Sequence, residues 1–547
     1  MPFFGRPETG YEMFLRTGNI SYLYEMNGFD WLVVGVYLGI LAILSFYGVH
    51  RYLMTFLYHR NRRYAACVRA RFERLPAVTV QVPSYNEMYV IERAIDAACA
   101  LDYPRGLLEI QVLDDSTDET ERIAAEAVQR WRARGIDIRL IHRSERTGFK
   151  AGALANGLRT ARGEFIAVFD ADFVPPPDFL QRVIHYFTDP KVGMVQARWE
   201  HLNREYSLLT RAQAIFLDGH FMMESFTRFA SGRLFNFNGT AGVLRRKTIE
   251  DAGGWEHDTL TEDLDLSYRA QLKGWKFVFL PDVKVPAELP VEMNAFKVQQ
   301  CRWAKGAMQT CKKLLPRILR SDLRPCQKLE AFYHLTGSVS YPLMVLLSLA
   351  LFPAMIVRYN QGWFHLLLID LPLFLLAFSS VSCFYVASQK ALHADWYKRI
   401  LYLPVLMAIG IGTCVAGARA VLEGALGVAS PFVRTPKFSM MGGAGEWKHK
   451  KYRGRVGLAP LFEIGLGIGY TLIIWYSWDL GVYGILPFLG LFQFGFLYAG
   501  VASLVQRMRR PPLAALWVRD YASAGARRVQ EIPLRASAAS NSSPVNL

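Results

Sequence analysis

Phe165 to Asp172 reads FIAVFDAD, a short apolar run that ends in two aspartates separated by one alanine. Phe, Ile and Val favour a pleated surface, and a short apolar run bounded by a turn signal, here Pro175-Pro176-Pro177, reads as a buried strand. Alternate residues leaving a strand point the same way, so Asp170 and Asp172 can face a single cation. Asp-x-Asp in isolation fits a turn that caps the next helix equally well. Its place directly after an apolar strand favours the metal reading.

Moving outward, VTVQV from Val78, LEIQVL from Leu108 and IDIRLI from Ile136 are runs of the same kind. They alternate with helix-like stretches starting near Met88, Glu119, Lys150 and Pro177. Strands spaced by helices at this interval predict βαβ units and an α/β domain with a mostly parallel sheet, in which ligands bind beyond the carboxyl ends of the strands. Those ends carry Pro83-Ser84-Tyr85-Asn86-Glu87, Asp114-Asp115-Ser116-Thr117-Asp118 and Asp170-Ala171-Asp172. Neither a G-x-x-x-x-G-K-[ST] loop nor a G-x-G-x-x-G turn appears in this domain to cradle phosphate. A diphosphate would then be held through a divalent cation, which takes oxygen ligands from protein and phosphate together.

Two later stretches add reactive groups. Thr259 to Phe277, TLTEDLDLSYRAQLKGWKF, opens a helix pattern with Glu262, Asp263 and Asp265. Thr259 and Glu262 have capping-box spacing, and acids are favoured at a helix amino terminus. Leu264, Tyr268 and Leu272 form the apolar face, leaving Asp263 and Asp265 on either side as alternative bases. Further on, Gln299, Arg302 and Trp303 fall at i, i+3 and i+4 of a helix expected over 294–315, so an amide, a guanidinium and an indole share one face. The guanidinium suits a diphosphate and the indole suits a sugar ring. The opposite face reads as interfacial, with Lys297, Lys305, Lys312 and Lys313 snorkelling.

The rest of the chain is apolar in blocks. Trp31 to Leu57, Thr336 to Val357, Trp363 to Ala387, Pro460 to Trp478 and Gly481 to Val505 are each near or above the length that spans a bilayer. The expected division is an N-terminal segment 1–30, a first span 31–57, a catalytic region 58–335, a second membrane region 336–505 and a basic, then disordered, tail 506–547. The formal net charge of +16 collects just beyond the apolar blocks, between Arg60 and Arg74, Arg434 and Arg455, and Arg507 and Arg528. By the positive-inside rule these clusters are cytoplasmic, with anionic lipid headgroups rather than nucleic acid as partner. Tyr402 to Gly427 is apolar enough to cross, but a single crossing would put the lysines after Phe432 outside. An interfacial or re-entrant segment over about 402–428 is therefore expected.

Asp115, Asp170-Ala171-Asp172, Thr261-Glu262-Asp263 and Gln299-x-x-Arg302-Trp303, in that order and followed by apolar spans, resemble the inverting glycosyltransferase family 2 enzymes of the cellulose synthase type. VLDDSTDET, RTGFKAGAL, FDADFVPPPDFL, VQARW, FNFNGTAGV and LKGWKF resemble in particular the plant cellulose-synthase-like A and C families, the glucomannan and xyloglucan-backbone synthases. The resemblance implies a Rossmann-like GT-A domain, a nucleotide-sugar donor such as GDP-mannose or UDP-glucose, and Mg²⁺ or Mn²⁺ on Asp170 and Asp172. It implies Asp263 as general base supported by Glu262, and Arg302 on the leaving diphosphate. Ser84, Glu87, Asp115, Lys150, Asp170 and Gln299 would meet the donor, while Trp303 and the loop Phe237-Asn238-Gly239-Thr240 would form the acceptor floor. Phe432-Val433-Arg434-Thr435-Pro436-Lys437, within a loop over 431–455, resembles a gating loop, with Phe432, Thr435 and Lys437 matching and Arg434 replacing the usual valine. The implied product is a β-linked polysaccharide made at the cell's inner (plasma) membrane. A ceramide-type lipid glycosyltransferase with a lipid acceptor is the nearest alternative, ahead of a metal-dependent phosphoryl transferase or a transporter.

Overall fold

The computed structural model describes residues 27–360, 364–430, 432–442, 447, 450–452 and 457–508. The expected N-terminal segment, apart from its last residues, and the tail from 509 lie outside them. Seven strands, β1 (Val78–Ser84), β2 (Leu108–Asp114), β3 (Ile138–His142), β4 (Phe165–Val168), β5 (Val192–His201), β6 (Gly242–Arg245) and β7 (Lys276–Ala287), form one sheet in the order β3-β2-β1-β4-β6-β5-β7. Pairs β1–β2, β2–β3, β1–β4 and β5–β7 are parallel; β6 alone runs antiparallel to β4 and β5. The sheet is thus mostly parallel, as the alternating pattern predicted.

Alternation within β4 shows why this run is a strand buried on both faces. Phe165, Ala167 and Phe169 join one core with Val78, Val80 and Val82, while Ile166 and Val168 join a second core on the other face with Leu154 and Phe279. A parallel sheet covered on both sides requires this near-continuous apolar run. The register pairs Ser84 with Asp114, and Gln81 with Val168, so the ends of β1, β2 and β4 lie side by side.

The principal helices are α1 (Gly28–Asn61), α2 (Ile91–Cys99), α3 (Thr120–Ala133), α4 (Phe149–Thr160), α5 (Glu262–Leu272), α6 (Met293–Arg320), α7 (Pro325–Thr336), α8 (Ser340–Asn360), α9 (Phe364–Leu392), α10 (Leu403–Gly412), α11 (Cys414–Leu426), α12 (Ala459–Asp479) and α13 (Leu486–Met508). Among the described residues, α1, α7 with α8, α12, and α13 with its preceding turn are long and apolar enough to cross a membrane. Helix α9, 29 residues long, lies where the remaining span was expected. The expected interfacial segment is broken: the helix ending at Gly412 and α11 meet at an angle of 47° around Thr413.

Three local expectations change. Helix α5 starts at Glu262 with Thr261 as N-cap and no side-chain cap, so the Thr259–Glu262 capping box does not form. Asp265 instead accepts from Arg269 Nε at 2.7 Å and pairs with Lys313 at 2.9 Å. Lys297 and Lys305 do not snorkel. Lys297 is buried against Glu463 of α12 at 2.5 Å and Ser503 of α13 at 2.8 Å, and Lys305 bonds Glu423 at 3.0 Å. Helix α6 is thereby bolted to the apolar helices by ion pairs, which a charge pattern read along one helix does not reveal.

Candidate active site

The ends of β1, β2 and β4 open into a cleft of about 1220 Å³, its mouth included. Ser84, Glu87, Asp115, Lys150, Asp170, Asp172, Asn238, Gly239, Glu262, Asp263, Gln299, Arg302, Trp303, Phe432, Thr435 and Lys437 all line it. Two residues expected there do not. Phe237 is fully buried in the core beneath the sheet, and Thr240 lies behind Asp170, whose backbone N–H donates to the Thr240 hydroxyl at 2.9 Å. Their apolar-plus-small neighbourhood supports the loop from below.

Helices α5 and α6 meet because Gly306, one turn beyond Trp303, has no side chain. A Cβ there would lie 2.9 Å from the Thr261 backbone nitrogen and 2.5 Å from its Cγ2. The Leu260 N–H also donates to Gln309 at 2.9 Å. The Thr261-Glu262-Asp263 turn is therefore seated on the helix that carries Gln299, Arg302 and Trp303.

Asp263 faces Gly239 and Lys150. Burial and the neighbouring Glu262 carboxylate push its carboxyl up to about 7, against the pull of Lys150 and Arg302. That is where a general base works best near neutral pH. Its Oδ1 accepts from the Leu264 N–H at 2.8 Å, which fixes the carboxylate. Asp265 is the alternative base, but it points away into its Arg269 and Lys313 pairs.

Lys150 bridges the Asp170 carboxylate and the Gly239 carbonyl, the latter at 3.0 Å. Burial lowers its pKa, but Asp170, Glu262 and Asp263 together outweigh burial and hold it raised. Lys437, from the loop after α11, reaches Asp172 at 2.6 Å and the Glu288 carbonyl. Burial, with Asp172 and Asp170 close by, pushes Glu87 up to about 8 although Arg434 opposes it. Glu87, Asp170 and Asp172 offer only oxygen ligands, the donor type a hard divalent cation takes, and each of them faces a cation of the protein, Arg434, Lys150 and Lys437 respectively. The tight acidic set Glu256, Asp258 and Asp265 is different: it surrounds the Lys313 ammonium at 2.5 to 2.9 Å.

Several residues of the cleft escaped the sequence reading. Arg143 holds both oxygens of Asp115, at 2.8 and 2.6 Å, and so orients that carboxylate. The Arg146 guanidinium lies 3.4 Å from the Tyr85 ring centroid and 5.4 Å from that of Phe432. Arg143 precedes the RTGFK motif and Arg146 is its first residue, and neither was given a role by its place before a helix. The Phe432 ring stacks on Phe149 at 5.8 Å and lies under Arg302 at 4.7 Å. Arg434, in place of the usual valine, stacks on Tyr452 at 3.8 Å and reaches Glu87 at 3.9 Å. Trp199 and His201, at the end of β5, complete the wall.

A mostly parallel sheet thus brings acids from three strand ends, a carboxylate raised towards neutrality and an Arg-Trp face into one cleft. Residues 76–306 match the family model described as "Glycosyltransferase like family 2". Over 251 residues, 45% of this chain and 47% of the relative, it is 45% identical to glucomannan 4-beta-mannosyltransferase 2 of Arabidopsis thaliana. Over 254 residues, 46% of this chain and 48% of the relative, it is 44% identical to glucomannan 4-beta-mannosyltransferase 1 of Cyamopsis tetragonoloba. A mannosyltransferase from Pyrobaculum calidifontis, solved with GDP-Man and Mn²⁺, aligns over 71% of this chain and 99% of that one, with 22% identity and a TM-score of 0.45. The chain spans about half the length of the curated relatives it matches. The family matched over residues 76–306 is the one that the motifs resemble.

Proposed function

We propose that this chain is an inverting, processive β-glycosyltransferase that moves mannose or glucose from GDP-mannose or UDP-glucose onto a growing β-linked polysaccharide. The observation that carries the reading is Asp263, poised near 7 and opening into the same cleft as Asp170, Asp172 and the Gln299-Arg302-Trp303 face. The naming of the relatives as glucomannan mannosyltransferases favours mannose.

In this reading Asp263 accepts the proton of an acceptor hydroxyl held against Trp303. The hydroxyl oxygen bonds to the anomeric carbon as the bond to the diphosphate breaks, and the configuration inverts. Arg302 and Lys150 stabilise the negative charge that develops on the departing diphosphate. A bound Mg²⁺ or Mn²⁺ would be held by Asp170 and Asp172 with the diphosphate oxygens and would neutralise charge there. Ser84, Asp115 and Glu87 flank the nucleoside end, while Gln299 meets the donor and the Phe432–Lys437 loop closes over it.

The apolar helices would pass the polymer across the inner (plasma) membrane, with the catalytic domain cytoplasmic. The basic clusters support that orientation. The test is to incubate membranes carrying the protein with GDP-[¹⁴C]mannose or UDP-[¹⁴C]glucose and Mg²⁺ or Mn²⁺. Ethanol-insoluble label, digestible by β-mannanase or β-glucanase and abolished by EDTA, is expected. Label confined to the organic phase would make this a lipid glycosyltransferase and remove the polymer reading.

A further inference from the structure

His201 ends β5 and is 8% exposed, and among the described residues neither ring nitrogen has a hydrogen-bonding partner. Two residues earlier, on the same side of the strand, the Trp199 indole N–H is buried and unpartnered as well. Both side chains line the cleft. Trp199 packs against the small apolar cluster of Leu217 and Leu289, which Trp303 also packs against, so the two residues lie on the Trp303 side of the cleft.

The polar groups near His201 are committed elsewhere. Arg204 holds both oxygens of Asp218, at 2.8 and 3.1 Å, and Asp218 also accepts from Gln389 at 3.1 Å and contacts His393 at 3.2 Å. Burial, aided by the Arg204 guanidinium, pushes the His201 ring down to about 3, so it is neutral. A neutral imidazole has one donor and one acceptor, and an indole has one donor. A phosphate would require a cation and an ammonium would require an anion, and among the described residues the charged groups around His201, namely Arg198, Glu200, Arg204 and Asp218, pair with one another. A sugar hydroxyl, which both donates and accepts, matches this wall. Buried polar groups left unmade cost stability, so their retention beside an aromatic platform points to a ligand.

The loop after α11 covers this place. Gly442 N–H donates to the Leu202 carbonyl at 2.8 Å, and Lys437 holds the carbonyl of Glu288, the residue after His201's strand partner Ala287.

We propose that His201 and the Trp199 indole N–H are an acceptor-binding pair that takes hydroxyls of the sugar stacked against Trp303 and so discriminates among acceptor sugars. This rests on the glycosyltransferase reading. The test measures acceptor KM, donor KM and direct calorimetric binding, with a β-1,4-linked mannohexaose as probe and full-length protein in detergent. Trp199→Phe keeps an aromatic ring, smaller than the indole, and removes the N–H, and His201→Ala removes both ring nitrogens. Each is expected to raise acceptor KM about tenfold, the loss of a hydrogen bond to a buried group, while donor KM moves less than twofold. His201→Gln, which keeps a donor and an acceptor, is expected to recover most of the affinity. Wild-type-like acceptor KM in both Trp199→Phe and His201→Ala, or a parallel loss of donor and acceptor affinity in all three variants, overturns the pair. If wild-type protein neither binds the oligosaccharide nor consumes either nucleotide sugar, the glycosyltransferase reading itself falls, and the pair with it.

Discussion

Gly239 stands between Asp263 and Lys150 with φ +77°, and adding one methyl group there tests the geometry of the base directly. An alanine Cβ would lie 2.9 Å from Asp263 Oδ2 and 3.4 Å from Lys150 Nζ. The first contact is about 0.5 Å or more inside an ordinary van der Waals separation. Asp263 cannot slide away as a unit, because its Oδ1 is held by the Leu264 N–H at 2.8 Å. The carboxylate must rotate. A left-handed backbone at a residue with a Cβ costs roughly 1–2 kcal/mol, which sets the expected loss of fold stability. A displacement of about 1 Å at a reacting group costs on the order of 10²-fold in rate, so a shift of half that size should cost between about tenfold and 10²-fold in kcat. The assay is the initial rate at saturating donor and acceptor for Gly239→Ala against wild type, with thermal melting on the same preparations. A variant that melts lower but keeps wild-type kcat would refute the reasoning, since the carboxylate beside Gly239 would then not be the base.

Because burial and Glu262 raise Asp263 to about 7, the active ionised form accumulates only as pH rises through that value, and kcat/KM should climb between about pH 6 and 8 and then level. Asp263→Asn should remove this rise and cost about 10²-fold or more in turnover. A carboxyl whose folded pKa is raised favours folding in its protonated form, so the wild type loses stability as this group is forced to ionise between its unfolded and folded pKa values. Asp263→Asn carries no such penalty, and its melting temperature relative to wild type should therefore rise as the pH is taken from about 4 to 7 and then level. Lys297→Met leaves Glu463 buried without its partner and should destabilise the protein by about 3–5 kcal/mol, whereas Lys297→Met with Glu463→Met should recover most of the loss. Urea or thermal unfolding in detergent measures both, and equal stability of the single and double variants would show that the pair does not anchor α6.

Local patterns in the sequence carried a large part of the site. An apolar run that ends in Asp170-Ala171-Asp172 reads as a strand end because side-chain period and turn chemistry are properties of neighbouring residues. The i, i+3, i+4 spacing of Gln299, Arg302 and Trp303 puts them on one helix face wherever that helix lies. Arg143 and Arg146 were harder to assign, since a basic residue before a helix has no single local meaning.

Spacings of a few residues were enough for four of the seven strands, the acids at three strand ends, the apolar helices and the shared face on α6. Spacing alone left Asp263 and Asp265 open as bases and the family resemblance pointed to Asp263; the packing adds that Arg269 and Lys313 hold Asp265 while Asp263 opens towards Gly239 and Lys150. Only the tertiary structure decided the cores that swallow Phe237, the burial of Lys297 by Glu463, and the place of Lys437, which meets Asp172 across 265 residues of chain. Such contacts arise when distant segments are brought together by packing, and the energy of a buried charge depends on the partner it finds there rather than on its neighbours in sequence.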